Sequence, residues 1–331
     1  MPKAVRPRPS LRNRPRSRVS TNDHSSPLSD RVFSTWRSLA SRFYRNGETK
    51  IVDLADLGVV EIALHPPGKD IWLSDVLRQG HLIEHHITLL LSEFLRPGAT
   101  FLDIGANFGW FSVIGSRLAG ESGCVLAVEP DRGNLRLLRR NLRLNGCSNV
   151  LVFPVALGDR NRKAMLYRSA DNQGDHWLAV NSDRSDKVRV PVVCVDHMLA
   201  GQARKIDFIK IDTQGSEAAI LRGMPSVFAR NRQVRMVMEF WPKGLENCGA
   251  SVAELADCLK RLGGRYWFLH WDNTTERVDP DEIEEIGLTR YSPLVGNHTD
   301  IVRCPSDDAE LASYLAKLES DRERLRLLAG C

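Results

Sequence analysis

The sequence predicts an α/β fold, a doubly wound and mostly parallel sheet with helices on both faces. Three observations predict it. Short apolar runs recur at 100–104, 124–129, 150–155, 206–211, 234–240 and 265–270, nearly continuous as in strands covered on both sides. Helical stretches separate most of them, and such alternation builds βαβ units. The first strong run ends directly in a small-residue loop, Gly105-Ala106-Asn107-Phe108-Gly109, where sheets of this kind hold ligands.

The elements follow in chain order. Residues 1–24 carry seven basic groups and one acid, Asp23, a charge of +6. The whole chain is +5, so the remainder is 5 − 6 = −1, which argues against a basic nucleic-acid-binding body. Residues 1–29 are rich in Pro and Ser and poor in apolar residues, the composition of a disordered tail. They lack the apolar core of a secretory signal.

A lead-in region spans 30–98. In 30–46, Val32, Trp36, Leu39 and Phe43 share one helical face, and Gly47 sits where a helix would stop. Residues 50–75 mix short β-like runs with turn signals such as Pro66-Pro67-Gly68. "HLIEHHITLLLSEFL" (81–95) reads as a helix ending before Pro97-Gly98.

The main domain is 99–305. "DRGNLRLLRRNLRLNG" places Leu135, Leu138 and Leu142 on one face, with Asp131 as N-cap and Gly146 as stop. Residues 157–195 break the rhythm with "KAMLYR" and "KVRVPVVCV", read as a β-hairpin insertion. "DIVRCP" (300–305) is the last strand. Residues 306–331 repeat Leu311, Leu315, Leu318, Leu325 and Leu328 at helical spacing, a terminal helix that docks on the domain or joins copies into a homo-oligomer. No apolar run approaches the ~20 residues of a membrane-spanning helix. Seven cysteines, an odd number without a CxxC pair, indicate neither a disulfide framework nor a zinc site but the reduced thiols of a cytoplasmic protein.

Glu129 closes the second strand, 129 − 109 = 20 residues past the loop, the spacing at which an acid accepts hydrogen bonds from the ribose hydroxyls of an adenosine cofactor. A nicotinamide dinucleotide would need a second glycine where Asn107 stands, and Asp103 would repel its phosphates. The same pair suits an ammonium, a sulfonium and a ribose diol, as in S-adenosyl-L-methionine.

"FLDIGANFGWFS", "AVEPDRGNLRLLRRNLRLN", "VALGD" and "IDFIKIDTQGSEAAILRGM" resemble, in order and wording, the FkbM-type S-adenosylmethionine-dependent methyltransferases, over roughly 75–305. The resemblance implies a class I methyltransferase (Rossmann-like) fold with seven strands, the last antiparallel. It implies methyl transfer to a hydroxyl of a sugar, glycan or natural product. Asp103, Gly105, Asn107 and Gly109 match the motif that cradles the methionine part of the cofactor, and Glu129 the ribose-binding acid. Ala156 and Asp159 fall where the adenine edge is read. Glu84 matches an acid before the first motif that faces the ammonium, although Leu82-Ile83-Glu84-His85 departs from the family's Gly-Tyr-Glu-Pro.

"IDFIKIDTQGSEAAIL" ends a buried strand at Lys210-Ile211-Asp212, and "VRMVMEFWP" (234–242) brings Glu239 to the same edge. Asp212 and Glu239 are the candidates for general base, with Lys210 pairing Asp212. Glu217 either serves the chemistry or complements a helix N-terminus. His81 and His85 share a helical face without an evident third ligand, so no metal site is assigned. Trp241 is a sugar-stacking surface or packing. Two other readings stay open: a nucleotide (NAD-type) oxidoreductase on a similar sheet, and a non-catalytic scaffold joined through the terminal helix.

Overall fold

The computed structural model describes residues 45–46, 49–54, 57–178, 183–201, 204–291 and 297–329, and of 45–46 and 321–329 the backbone alone. These residues belong to the compact unit Leu39–Cys331. The tail reading over 1–29, and the helix reading up to residue 44, fall outside the described residues.

β1 (Arg45–Asn46), β2 (Thr49–Asp53) and β3 (Val59–Ala63) form a three-stranded antiparallel sheet. The expected helix through residue 46 therefore does not include its last two positions, because Arg45 and Asn46 pair with Lys50 and Thr49. α1 (Ser74–Gln79) and α2 (His85–Phe94) follow. The helix expected over 81–95 starts four residues late because Glu84 takes a left-handed conformation, φ 40°. His81 and His85 thus share no helical face; it is His86 that turns inward and is buried.

Next come β4 (Thr100–Ile104), α3 (Trp110–Ala119), β5 (Cys124–Val128), α4 (Arg132–Leu144) and β6 (Val150–Phe153). Every residue of β4 and β5 is buried, which explains their continuous apolar sequences. Asp131 caps α4 by accepting from the Gly133 and Asn134 N–H groups at 2.6 and 3.1 Å. β7 (Ala156–Gly158), β8 (Arg162–Tyr167) and β9 (Lys187–Cys194) make a second small sheet, ordered β7-β9-β8. β8 and β9 are antiparallel and β7 lies parallel to β9.

α5 (Val195–Met198), β10 (Phe208–Ile211), α6 (Glu217–Arg222), α7 (Pro225–Arg230), β11 (Arg235–Phe240), α8 (Pro242–Asn247) and α9 (Val252–Leu262) continue the alternation. The chain then forms β12 (Arg265–Leu269), β13 (Thr275–Val278), α10 (Ile283–Thr289), β14 (Thr299–Cys304) and α11 (Ala309–Ala329).

The main sheet is ordered β13-β12-β14-β11-β10-β4-β5-β6. β4, β5, β6, β10 and β11 are parallel, and β14 runs antiparallel to β11 and β12. This is the doubly wound, Rossmann-like sheet that the resemblance implies, with eight strands instead of seven. The extra strand is β13, a short edge strand that folds back on β12, Tyr266 opposite Val278. α11 covers it: the Thr275 hydroxyl donates to Leu315 O at 2.6 Å, and Leu311, Leu315 and Leu318 are buried. These three leucines are spent on the chain's own edge; the side chains of Leu325 and Leu328 fall outside the described residues.

Candidate active site

The order of the sheet brings the carboxyl ends of β4, β5, β10 and β11 side by side, and each delivers a polar group there. After β4 the chain turns through Gly105 (φ 82°), Asn107 (φ 51°) and Gly109 (φ 92°), conformations that favour glycine and tolerate asparagine. A methyl group on Gly105 would lie 1.7 Å from the Asp212 carbonyl, and one on Gly109 2.5 Å from Leu138. The space beside these glycines is taken up by the protein's own backbone at 212 and by α4.

Glu129, at the end of β5, is buried and accepts the Asn107 N–H at 2.9 Å and the Asp131 N–H at 2.7 Å. Two main-chain donors fix its carboxylate against the loop. Burial nevertheless pushes its pKa up to about 8. Glu84 sits across the cavity rim, its carboxylate 3.9 Å from Lys210 Nζ. Burial raises it to about 8 as well, although the Lys210 ammonium pulls the other way.

Register sets the centre of the site. Lys210 of β10 lies opposite Asp103 of β4. Lys210 Nζ donates to Asp212 Oδ2 at 2.8 Å and lies 4.8 Å from the centre of the Phe111 ring. Gln214, left-handed at φ 57°, turns back over the strand ends. Its amide nitrogen donates to Asp212 Oδ1 at 3.0 Å and to both Glu239 oxygens at 2.9 and 3.1 Å. Burial acts to raise Asp212, but the Lys210 ammonium outweighs it and holds this carboxyl below the usual range. Glu239 is driven well above that range by burial and by the neighbouring Asp212 and Glu217 carboxylates. Burial also raises Asp103, whose Oδ2 accepts the Ser112 hydroxyl at 2.6 Å.

These groups border a cavity of about 710 Å³. Glu84, Gly105, Asn107, Glu129, Ala156, Lys210, Asp212, Gln214 and Glu239 all line it. Four predicted site residues do not. Asp103 and Gly109 lie behind the lining, Asp159 lies beyond it, and Glu217 faces its own loop, accepting Thr213 N–H at 3.0 Å and Thr213 Oγ1 at 2.8 Å. Other lining groups carried no signal in the sequence. Asn172–His176, between β8 and β9, closes one wall, with Gln173 O accepting from Asn107 Nδ2 at 3.4 Å and Asn134 Nδ2 at 3.0 Å. Trp72 and Trp271, 65% and 46% exposed, flank the opening. Behind the lining, His86 Nε2 lies 2.8 Å from Asp300, the β14 residue paired with Glu239. Alternating apolar and polar residues would have flagged none of these. Among the described residues, no three His, Cys, Asp or Glu side chains are grouped to hold a metal ion.

At the cavity, four buried acceptor oxygens have no hydrogen-bond donor among the described residues: Glu84 Oε2, Asn107 Oδ1, Asp175 Oδ1 and, behind the lining, Asp103 Oδ1. Buried polar atoms are ordinarily satisfied. A ligand that brings N–H groups and positive charge fits this end of the cavity, whereas a pyrophosphate would add acceptors to acceptors.

A family profile described as "Methyltransferase FkbM domain" matches residues 103–266. The ribosomal protein L11 methyltransferase of Acetivibrio thermocellus is 34% identical over 71 residues, 22% of this chain and 22% of that protein. The chain thus spans about a fifth of the length of that curated relative. Similar solved structures include Aeropyrum pernix fibrillarin in complex with S-adenosyl-L-methionine, 14% identical, TM-score 0.39, covering 79% of this chain and 97% of that one. A SAM-dependent methyltransferase from Aquifex aeolicus is 13% identical, TM-score 0.34, covering 68% and 99%. No described helix is long and apolar enough to cross a membrane. The residues between Asp103 at the end of β4 and Tyr266 in β12, which supply most of the cavity's acids, place the chain in the FkbM-type family of S-adenosylmethionine-dependent methyltransferases.

Proposed function

We propose that the cavity transfers a methyl group to a hydroxyl of a sugar, glycan or natural product. S-adenosyl-L-methionine, when bound there, supplies a methyl group on a positively charged sulfur that leaves readily. Glu129 holds the ribose hydroxyls; its two main-chain bonds leave each oxygen a further lone pair. Glu84 and the Asn107 side chain receive the ammonium, which satisfies their orphaned oxygens. Ala156 borders the adenine end.

The single observation that carries the reading is the pairing of a low acid and a high acid through one amide. Lys210 favours the ionised form of Asp212, while burial and the neighbouring carboxylates raise the proton affinity of Glu239. Asp212 is therefore the carboxylate able to take the acceptor's hydroxyl proton as the new C–O bond forms, and its charge also favours a cation nearby. Gln214 fixes the angle between the two acids, so positioning supplies much of the acceleration. Lys210 positions Asp212 through its 2.8 Å hydrogen bond. Trp241 and Trp271 offer flat apolar surfaces to a sugar ring.

The test is Asp212→Asn beside Glu239→Gln. Asp212→Asn is expected to depress turnover about 10²- to 10⁴-fold, the range of a lost general base, with S-adenosylhomocysteine affinity within about threefold. Full activity in Asp212→Asn removes it from the chemistry; lost cofactor affinity in both variants makes the pair part of the binding site instead.

A further inference from the structure

α4 carries five arginines and no acid in thirteen residues. Arg132, Arg136, Arg139 and Arg143 follow one another at i, i+4, i+7 and i+11, so at ~100° per residue they fall within an arc of about 60°. All four are exposed. None has an ion pair or hydrogen-bond acceptor among the described residues, and Arg140 stands beside them with contacts of its own. The row extends over ~16 Å of helix. Arg132/Arg136 and Arg139/Arg143 are like-charge pairs at i,i+4, an arrangement that disfavours a helix. Arg132 also opposes the dipole at the N-terminus. Local stability does not account for the stripe.

The surroundings strengthen it. Residues 132–170 hold nine Lys and Arg against one acid, Asp159, in a chain whose charge outside the first 24 residues is −1. The stripe begins at the cavity: Pro130 and Asn134, on either side of Arg132, both line it. The N-terminal end of the stripe therefore adjoins the cavity lining.

We infer that this stripe is a docking surface for a polyanionic glycan, carboxylate- or phosphate-bearing, whose hydroxyl enters the cavity. The inference rests on the methyl-transfer reading for what the glycan does, but not for its binding. Guanidinium forks pair with carboxylates and phosphates in bidentate fashion, and intervals of ~6 and ~4.5 Å along the helix give a flexible charged chain several partners at once. Single-stranded nucleic acid is less suited, because its sites interleave aromatics with the basic groups and 132–144 contains none. An anionic membrane is less suited because Leu135, Leu138 and Leu142, the apolar face of α4, are already buried against the protein.

The experiment compares the full chain with a variant carrying Arg132→Gln, Arg136→Gln, Arg139→Gln and Arg143→Gln. Probes are a polyuronate oligosaccharide, a phosphodiester-linked teichoic acid, neutral dextran, poly(U), and vesicles containing phosphatidylglycerol. The wild type is expected to bind one or both acidic glycans and not dextran, with affinity falling steeply with salt. The variant is expected to lose at least about tenfold, with its salt slope flattened by about one per arginine removed. Its melting temperature stays equal or rises, because like-charge repulsion is relieved. Polyuronate and teichoic acid distinguish carboxylate from phosphate recognition. Equal binding by the variant, or no binding of either acidic glycan, overturns the inference. So does a wild type that prefers poly(U) or vesicles. S-adenosylhomocysteine affinity, expected unchanged in the variant, reports separately on the methyltransferase reading: its absence in the wild type would sink that reading and leave the docking surface standing.

Discussion

The loops that follow β4 and β10 are built alike and end differently. Each passes from a buried strand into a turn that puts both glycine and a non-glycine residue in the left-handed region, Gly105, Asn107 and Gly109 in the first, Gln214 and Gly215 in the second. Each turn gives a main-chain N–H to a buried glutamate, Asn107 to Glu129 and Thr213 to Glu217. Yet Glu129 lines the cavity and Glu217 does not. Glu129 comes from the neighbouring strand and meets the loop from the cavity side. Glu217 comes from four residues downstream and closes the loop on itself. The same bond sets an acid against the cavity in one case and only ties off a turn in the other.

The largest expected effect breaks the contact that joins the two loops. Gly105→Ala would drive a methyl group into the Asp212 carbonyl at 1.7 Å, in a left-handed conformation. Backbone strain and the displaced loop together should cost about 3 kcal/mol or more, visible as a fall in melting temperature with loss of S-adenosylhomocysteine binding. Unchanged melting would mean that the β4 and β10 loops do not depend on each other.

Substituting the two glutamates sharpens the comparison. Glu129→Gln should weaken S-adenosylhomocysteine binding about 10- to 100-fold, the worth of hydrogen bonds to a charged group, with little change in melting. Glu217→Gln should do the reverse, lowering the melting temperature through a weakened turn and leaving the dissociation constant alone. Calorimetry and thermal unfolding on the same samples decide it. Equal effects of the two substitutions would erase the distinction.

The smallest effect is in pH dependence. Glu84 and Glu129 each rise from 4.5 to about 8 on folding, so between those values the folded state holds more protons than the unfolded state. Their contribution to stability is full below about 4.5 and is lost as pH rises toward 8. The bound ammonium favours ionised Glu84 and the ribose hydroxyls, as donors, favour ionised Glu129, so S-adenosylmethionine should bind more tightly as pH rises through that window and release protons on binding. Titration calorimetry in buffers of different ionisation enthalpy measures the release. No release would mean that neither acid meets the ligand.

Much of this was legible in the chain. Continuous apolar strands announced the sheet, Asp131 announced its helix, and the 20-residue interval from Gly109 to Glu129 announced an acid beside the loop. These signals are local: they depend on the period of side chains along a strand or helix and on which backbone groups a nearby residue can cap. The resemblance added the antiparallel last strand but not the eighth, because Thr275–Val278 is too short to carry a pattern.

Facing was decided only in three dimensions. Asp103 and Glu217 read as site acids, yet one lies behind the cavity lining and the other closes its own turn. The left-handed turn at Glu84 delayed a helix, took His81 off the face it was expected to share with His85, and buried His86. The depressed Asp212 and elevated Glu239 arise because strands far apart in the chain set Lys210, Gln214 and Asp300 around them. Sequence fixes which groups are ionisable; their proton affinity depends on desolvation and on charges a few ångströms away, and those distances exist only once the strands have paired.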